Sequence, residues 1–278
     1  MLIARRRISL LVGVGLGLAA LPWATAQAQA FDHSHAAWTA LLGKHVLLLD
    51  GGRASQLRYA GMAADRAALK AYLATLAAVS PPAFEDFSKP QQMAFLINAY
   101  NAYTVELILT RYPKLESIKD LGSLLQNPWK QKTSPLLGTT MTLDAIEHET
   151  LRARGRYDDP RIHFAVNCAS IGCPMLREEA YVGERLNAQL DEQTLRFMSD
   201  RSRNRWDAAS QQLEVSMIFK WYGEDFRLGH KGFTSANAFF ARYADQLADA
   251  PADRERVRSQ KAAVGYLDYN WKLNDAAR

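Results

Sequence analysis

The sequence lacks long hydrophobic runs after its first thirty residues. No later stretch reaches the roughly 18 consecutive apolar residues that indicate a membrane-spanning helix. We therefore expect a soluble mature chain with no stable membrane span. Internal repeats, low-complexity tracts and linkers are also missing between Phe31 and Arg278, which favours a single domain over two.

A strong excess of one charge is missing as well. The chain has 34 Lys and Arg against 29 Asp and Glu, a net charge of +5, and three of the arginines stand at positions 5–7. Without them the excess falls to about +2, which is too small to indicate binding to nucleic acid or to an anionic membrane surface. We expect a small-molecule or envelope-derived substrate instead.

The first thirty residues have the pattern of a cleavable export signal. Three arginines precede an apolar stretch over 10–21, and Ala28-Gln29-Ala30 offers a small-residue cleavage site. The apolar stretch is about a dozen residues long, short of the roughly twenty that a membrane span needs. We predict a signal peptide over 1–30, a mature protein from Phe31 and a periplasmic or secreted location. The adjacent arginines fit the general or the twin-arginine export route.

Apolar periodicity predicts a helix-rich, single α+β domain with a modest, mainly antiparallel sheet. Helices are predicted over 36–43, 63–77, 91–110, 187–199, 235–247 and 252–263. Strands are predicted over 46–49 and 57–59, joined as a hairpin, and over 139–143, 161–167 and 213–221. The helix over 91–110 is apolar around most of its circumference, which is typical of a central helix.

Two amides, Asn98 and Asn101, lie three residues apart on the predicted central helix and therefore on one face of it. If that face is buried, each amide must find hydrogen-bond partners. The two side chains either tie loops to the core or line a site, and we take both as candidate binding residues.

The segment over 163–174 brings imidazole, amide, thiol and hydroxyl groups into a dozen residues. Cys168 is predicted to be a nucleophile, with His148 or His163 as its base, in the pattern of covalent acyl transfer. Asn167 or Asn98 would orient the base. Five residues of an extended strand span roughly 16 Å, so His163 would not reach Cys168, and His148 is the other central histidine.

Cys168 and Cys173 are the two cysteines of the chain. The oxidising conditions outside the cytoplasm allow such a pair to form a lasting disulfide. The bridge would close a small loop, with Gly172 and Pro174 as its turn residues. The sequence leaves both a catalytic thiol and a structural disulfide open.

Glu147 stands three residues after Asp144, which is the spacing of a capping box with Asp144 as the N-cap. The Glu147 carboxylate is then a capping group, or it is a general acid or base beside His148. A metal site at Glu147, His148 and His163 is a third alternative. Because the spacing matches no zinc signature, we expect no cofactor.

An aromatic and charged cluster over 219–226 follows the strand predicted over 213–221. It is part of the core, or it lines a binding site in which Lys220 or Asp225 contacts a polar ligand. In a non-catalytic binding protein, Trp221, Tyr222 and Trp271 would line the ligand surface.

Taken together, these motifs resemble one known family. They are the run Phe95-Leu96-Ile97-Asn98-Ala99-Tyr100-Asn101-Ala102, the pair Ile146-Glu147-His148 and Leu151-Arg152, the segment over 159–174, and the closing Trp271-Lys272-Leu273-Asn274. Over 44–274 the chain resembles the domain of unknown function 547 family, which occurs in bacteria and plants. The resemblance implies no particular activity. It implies that the following positions match shared motifs: Asn98, Asn101, Glu147, His148, Arg152, His163, Asn167, Cys168, Ser170, Cys173 and Asp225.

The leading hypothesis is an exported hydrolase or acyl transferase that uses this Cys, His, Glu and Asn cluster. Its catalytic residues would be His148, His163, Cys168, Glu147 and Asn167, and its binding residues Asn98, Asn101, Arg152, Ser170, Lys220 and Asp225. The alternative is a non-catalytic periplasmic binding or envelope-interaction protein with a structural Cys168–Cys173 disulfide. The first hypothesis requires that folding bring His148, His163 and Cys168 to one accessible cavity.

Overall fold

The computed structural model describes residues 30–123 and 126–277. The predicted signal peptide therefore lies outside the described residues, apart from Ala30. Residues from Phe31 onward form one compact unit. In order along the chain, the helices are α1 (Ala36–His45), α2 (Tyr59–Ala64), α3 (Arg66–Ala77), α4 (Pro81–Glu85), α5 (Lys89–Leu109), α6 (Leu186–Met198), α7 (Ile218–Trp221), α8 (Ala236–Arg242), α9 (Ala244–Leu247) and α10 (Pro251–Arg258).

The strands are short and fall into small sheets. They are β1 (Val46–Leu49), β2 (Ala54–Leu57), β3 (Ser134–Leu136), β4 (Thr139–Met141), β5 (Arg205–Asp207), β6 (Gln212–Ser216) and β7 (Ala263–Leu267). Strands β1 and β2 form an antiparallel hairpin, as do β3 and β4, while β6 lies between an antiparallel β5 and a parallel β7. The predicted α+β class, with a modest and mainly antiparallel sheet content, is confirmed.

The central element is α5, as its apolar pattern predicts. Its start is fixed by Ser88, whose hydroxyl accepts from the Gln91 backbone N–H while the Gln91 side chain accepts from the Ser88 N–H. This reciprocal capping satisfies two backbone donors that the first turn would otherwise leave unpaired. Nearly every residue of α5 from Gln92 onward is buried, so the helix forms the middle of the main core and supports the site described below.

A second core consists of aromatic rings. Phe164, Phe197, Phe219, Phe226, Phe239 and Phe240 are all buried and contact one another. Buried rings of this size contribute much of the apolar area removed from water. This cluster packs α6, α7 and α8 against the segment around His163 and so holds that segment in place.

The strand predicted over 161–167 is wrong. Residues Pro160–Phe164 form a 3₁₀ turn. The Asp159 side chain caps it by accepting from the Arg161 backbone N–H at 3.0 Å, and Pro160 has the fixed φ that favours a first helical position. The alternation of Ile162, Phe164 and Val166 therefore reflects burial on several sides of a turn rather than a pleated strand.

Two other elements end earlier than predicted. The strand over 213–221 stops at Ser216, whose hydroxyl accepts from the Ile218 N–H at 3.3 Å and so starts α7. The helix over 252–263 ends at Arg258, and residues from Ala263 form β7 instead. Among the described residues, no helix combines the length and the apolar character needed to cross a membrane.

Candidate functional site

A cavity of about 280 Å³ opens on one side of α5. Its walls combine aromatic rings, two carboxylates, two imidazoles and both cysteines. They are Tyr100, Asn127, Trp129, Asp144, Glu147, His148, His163, Val166, Cys168, Cys173, Pro174, Ile218, Trp221, Tyr222, Tyr269 and Trp271. Folding therefore brings His148, His163 and Cys168 to one cavity, as the leading hypothesis requires.

Glu147 and His148 come from a π-helical segment, Ala145–Leu151, and Asp144 immediately precedes it. The Arg152 N–H donates to the Glu147 carbonyl at 2.9 Å, five residues back, and such π-helical turns are rare and frequent at functional sites. The predicted capping by Asp144 is wrong, because Asp144 has helical φ and ψ and its side chain makes no capping bond. Thr142 caps instead, accepting from the Ala145 N–H at 2.9 Å.

Asp225 is the centre of a charged network behind the cavity wall. Its Oδ2 accepts from Arg152 Nε at 2.7 Å and from His163 Nε2 at 2.7 Å, and its Oδ1 accepts from Arg152 Nη2 at 3.1 Å. Burial alone would raise the pKa of the Asp225 carboxyl. The hydrogen bonds from His163 and Arg152, together with the charge of Arg152, outweigh burial and hold that pKa well below its usual range.

His163 is buried against this carboxylate. Its ring stacks on the Tyr222 ring with centroids 4.0 Å apart and planes inclined by 14°. Since an ionised carboxylate only accepts hydrogen bonds, Nε2 carries the proton, and Nδ1 of the neutral ring is left with a lone pair. Nδ1 is buried and has no hydrogen-bond partner among the described residues. An oriented imidazole with an unused acceptor nitrogen is the arrangement of a general base.

His148 has the opposite tautomer. Arg152 Nη1 lies 2.7 Å from His148 Nδ1, and a guanidinium only donates, so Nδ1 accepts and the neutral ring carries its proton on Nε2. That Nε2 lies 3.6 Å from Asp144 Oδ1. In this state His148 offers the cavity a hydrogen-bond donor rather than a base.

Glu147 is buried between two tyrosines. Burial raises the pKa of the Tyr100 and Tyr222 hydroxyls, and the charge of Glu147 and a hydrogen bond to it raise both pKa values further. Both hydroxyls therefore keep their protons and donate to the Glu147 carboxylate. This pairing lets a carboxylate that is only 6% exposed stand at the cavity wall.

Cys168 and Cys173 are joined in a disulfide, which is one of the two alternatives that the sequence left open. The Tyr269 hydroxyl donates to Cys173 Sγ at 3.1 Å and lies 3.2 Å from Cys168 Sγ. Ser170 Oγ lies 3.1 Å from the same hydroxyl. Burial raises the pKa of Tyr269 to about 12. A sulfur in a disulfide is not a thiolate, so Cys168 is no nucleophile unless the bridge is reduced.

We expect the native protein to show no reactive thiol and the reduced, denatured protein to show two. Closing so short a loop contributes about 2 kcal/mol by restricting the unfolded chain, so the double variant Cys168→Ser, Cys173→Ser should lose about that much unfolding free energy. Thiol titration with a chromogenic disulfide reagent and urea denaturation measure the two effects. A thiol that reacts in the native exported protein would contradict the prediction.

The three amides predicted as site residues are structural. Asn98 donates to the Tyr181 carbonyl at 2.7 Å and accepts from the Tyr181 N–H at 3.0 Å. Asn101 donates to the Ala165 carbonyl at 2.9 Å and accepts from the Asn167 N–H at 2.8 Å. Each amide thus pairs with backbone groups that would otherwise be buried without partners. Neither lines the cavity, which favours the first of the two readings left open by the sequence, and their role in binding stays a prediction.

Asn167 likewise shapes the loop that carries the disulfide. Its side chain donates to the Pro174 carbonyl at 2.8 Å and accepts from the Ala169 N–H at 2.9 Å. The residue that contacts His163 is Asp225, and the predicted role of Asn167 in orienting the base stays a prediction. Ala169 has a φ of +62°, a left-handed conformation that costs energy for any residue but glycine and that these bonds offset.

The other residues predicted to bind a ligand do not line the cavity either. Lys220 is exposed, with Nζ 5.6 Å from the Tyr266 ring centroid, and does not line the cavity. Helix α7 replaces the predicted strand and leaves this side chain exposed, and its role in binding stays a prediction. Arg152, Asp225 and Ser170 lie behind the wall and hold His163, His148 and the disulfide in place.

Sequence reasoning missed much of the aromatic wall. Tyr269 was not among the residues selected from the sequence, yet it contacts both sulfurs, and its ring lies 4.5 Å from that of Trp271 and 4.9 Å from that of Trp221. The dense aromatic tail over 266–271 was a usable signal. No such sequence signal marked Trp129, which also lines the cavity. Within the described residues, no group of three or more His, Cys, Asp or Glu side chains is arranged to hold a metal ion.

Comparison with known proteins gives one match. Residues 84–198 match the family model described as "Protein of unknown function, DUF547". No curated protein and no solved structure gives a significant match. The matched segment contains α5, the π-helical turn, His163 and both cysteines, whereas Tyr222, Asp225 and the aromatic tail follow it. This match supports a relation to the DUF547 family over residues 84–198.

Proposed function

We propose that the protein is an exported hydrolase or acyl transferase that acts on a small-molecule or envelope-derived substrate in this cavity. The observation that carries the proposal is the His163–Asp225 pair. Asp225 fixes the ring and its tautomer through Nε2, while Nδ1 has no protein partner. A buried carboxylate that orients an imidazole and stabilises its charged form is the base arrangement of hydrolytic enzymes.

In the proposed reaction, a water molecule or an acceptor hydroxyl reaches the buried His163 Nδ1 and gives up a proton to it as that oxygen attacks the substrate carbonyl carbon. The new C–O bond forms, and the carbonyl π electrons move to its oxygen. The Nε2–H of His148 is the donor available to that oxyanion. When the intermediate collapses, the bond to the leaving group breaks and His163 returns the proton to that group. Arg152 keeps Asp225 ionised throughout.

Water or an acceptor hydroxyl is the nucleophile in this scheme because the Cys168 sulfur is bonded to Cys173. Attack by Cys168 would first require a dithiol reductant, which would be oxidised to its disulfide as the protein bridge becomes two thiols. The bridge also supports the proposed periplasmic or secreted location, because disulfides persist in oxidising compartments.

The proposal predicts turnover of at least one member of a panel of chromogenic esters and amides. Replacing His163 by Gln should reduce kcat/KM at least a hundredfold, since a positioned acid or base contributes roughly 10²–10⁴ in rate. His230 is a matched control, because its Nε2 faces Asp159 Oδ1 at 3.4 Å outside the cavity. The variant His230→Gln should keep its activity. No turnover of any panel member, or equal turnover by wild type and His163→Gln, would reject the proposal.

A second candidate is a non-catalytic periplasmic binding protein. It is favoured by the intact disulfide and by Trp221, Tyr222 and Trp271, which the cavity wall brings together. In that case ligands should quench the tryptophan fluorescence of the protein without being altered. The turnover panel and the fluorescence titration together separate the two functions.

A further inference from the structure

We propose that the cavity binds an organic cation, namely an ammonium group on a small apolar body. This inference rests on the proposed function in one respect, since it names the substrate class of the same cavity. The volume of about 280 Å³ lies near the lower end of the roughly 300–1,000 Å³ typical of small-molecule sites. A single compact molecule therefore fits, and a polymer would enter only by one end group.

The first argument is the aromatic wall. Six of the lining residues are Tyr or Trp. Three of their rings form a continuous group, because Trp221 lies 4.9 Å from Tyr269 and 5.8 Å from Trp271, centroid to centroid. The faces of such rings carry negative electrostatic potential, and cages of them attract ammonium groups, most strongly where water is excluded.

The second argument is the charge of the wall. Asp144 and Glu147 line the cavity, and none of its lining residues is Lys or Arg. Two cations contact rings of the wall without lining the cavity: Lys119, on Trp271, and Arg152, whose charge is matched by its bidentate partner Asp225. His148 accepts from Arg152 at Nδ1 and is neutral in that state. Two carboxylates beside aromatic rings favour a cation and disfavour phosphates and carboxylic acids.

The third argument is that an ammonium group of the protein itself already lies over one of these rings. Lys119 Nζ lies 3.7 Å from the centroid of the Trp271 ring. Arg152 similarly lies 4.8 Å from the Tyr222 ring centroid. Cations thus contact two rings of the wall from the protein itself, which is the contact that a bound ammonium ligand would make from within the cavity.

The test uses choline and its uncharged carbon isostere, 3,3-dimethylbutan-1-ol, which have nearly the same shape. Binding to the purified protein is measured by isothermal titration calorimetry and by tryptophan fluorescence. We expect choline to bind at least tenfold more tightly than the isostere, and we expect 3,3-dimethylbutanoate not to bind. Equal or tighter binding of the isostere, or of the neutral sugar N-acetylglucosamine, would overturn the inference, because stacking without charge recognition would explain it.

Variants locate the binding. Glu147→Gln and Asp144→Asn should each weaken choline binding at least threefold and leave isostere binding unchanged. Asp245→Asn removes a carboxylate that lies outside the cavity and should change neither. Asp144 is partly exposed, so its variant tests the inference even if Glu147→Gln fails to fold. If neither cavity variant weakens choline binding, the inference fails.

The outcome is separable from that of the proposed function. Choline binding with the expected variant effects but without turnover of any ester supports the cation site and rejects the hydrolase. Ester turnover that depends on His163, combined with equal binding of choline and isostere, supports the hydrolase and rejects the cation site.

Discussion

Replacing Asp225 by Asn is expected to lower the free energy of unfolding by about 3 kcal/mol, because removing one partner of a largely buried ion pair leaves the other uncompensated. Asp225 accepts from both Arg152 and His163, and its side chain is 15% exposed. An asparagine supplies one acceptor and places an amide donor against two other donors. Urea denaturation at pH 7 measures the loss.

The same variant has a predicted pH dependence. The pKa of Asp225 is lowered in the folded protein, so its stabilisation is complete above the usual carboxyl pKa of about 3.9. It is lost as the pH falls through the lower folded value. The difference between wild type and Asp225→Asn should therefore shrink under acid conditions.

A surface pair provides the control. Asp245 also faces two arginines, with Oδ1 2.7 Å from Arg258 Nη2 and 3.6 Å from Arg254 Nη1, but its side chain is 56% exposed. Exposed ion pairs contribute only about 0–1 kcal/mol, so Asp245→Asn should have little effect. Equal losses for the two variants would show that Asp225 is an ordinary surface partner and would contradict the network described above.

His35 is expected to make the protein sensitive to mild acid. Its ring is buried, and Nδ1 lies 2.7 Å from the Tyr72 hydroxyl. Burial lowers the pKa of His35 to about 4, whereas in the unfolded chain it is about 6.5. Between these two pKa values the unfolded chain binds a proton that the folded protein does not bind. The free energy of unfolding therefore falls as the pH drops from 6.5 towards 4.

The expected loss is about 3 kcal/mol over this pH interval, since one pKa unit corresponds to 1.36 kcal/mol. The unfolding free energies of wild type and His35→Asn, measured at pH 7, 5.5 and 4.5, should converge as the pH falls. The variant has no titrating group at this position, and asparagine tolerates the left-handed φ of 49° found there. His33→Gln is the control, because burial lowers the pKa of the less buried His33 without a large shift. Parallel pH profiles for wild type and His35→Asn would contradict the assignment.

Much of the fold could be predicted from local sequence. The long apolar pattern over 91–110 identified α5 because helix periodicity is clear over many turns. The hairpin around residues 50–52 was also recognisable, since Gly51 and Gly52 adopt φ of 65° and 86° that other residues rarely adopt. The turn over 160–164 was missed, although Asp159 and Pro160 are start signals for a helical turn, because a short apolar alternation fits strand and buried turn alike.

The site was predicted in part. Glu147, His148, His163 and Cys168 were selected for their chemistry, and all four line the cavity. Their roles were not predictable, because the hydrogen-bond partners come from distant positions. His163 and Asp225 are 62 residues apart, and Tyr269 lies 101 residues from the sulfur of Cys168 that it contacts. Asn98 and Asn101 were equally plausible as ligands or as structural amides until their backbone partners were known.

The sequence by itself determined the α+β class, the central helix and the set of reactive side chains, since these follow from composition and from periodicities of a few residues. Only the tertiary structure decided which side chains line the cavity and which lie behind its wall. It joined Cys168 to Cys173, fixed opposite tautomers in His148 and His163 through Arg152 and Asp225, and placed Trp221, Tyr269 and Trp271 in one wall. The physical reason is that tautomer, charge state and ring packing depend on contacts between distant parts of the chain, which no local pattern encodes.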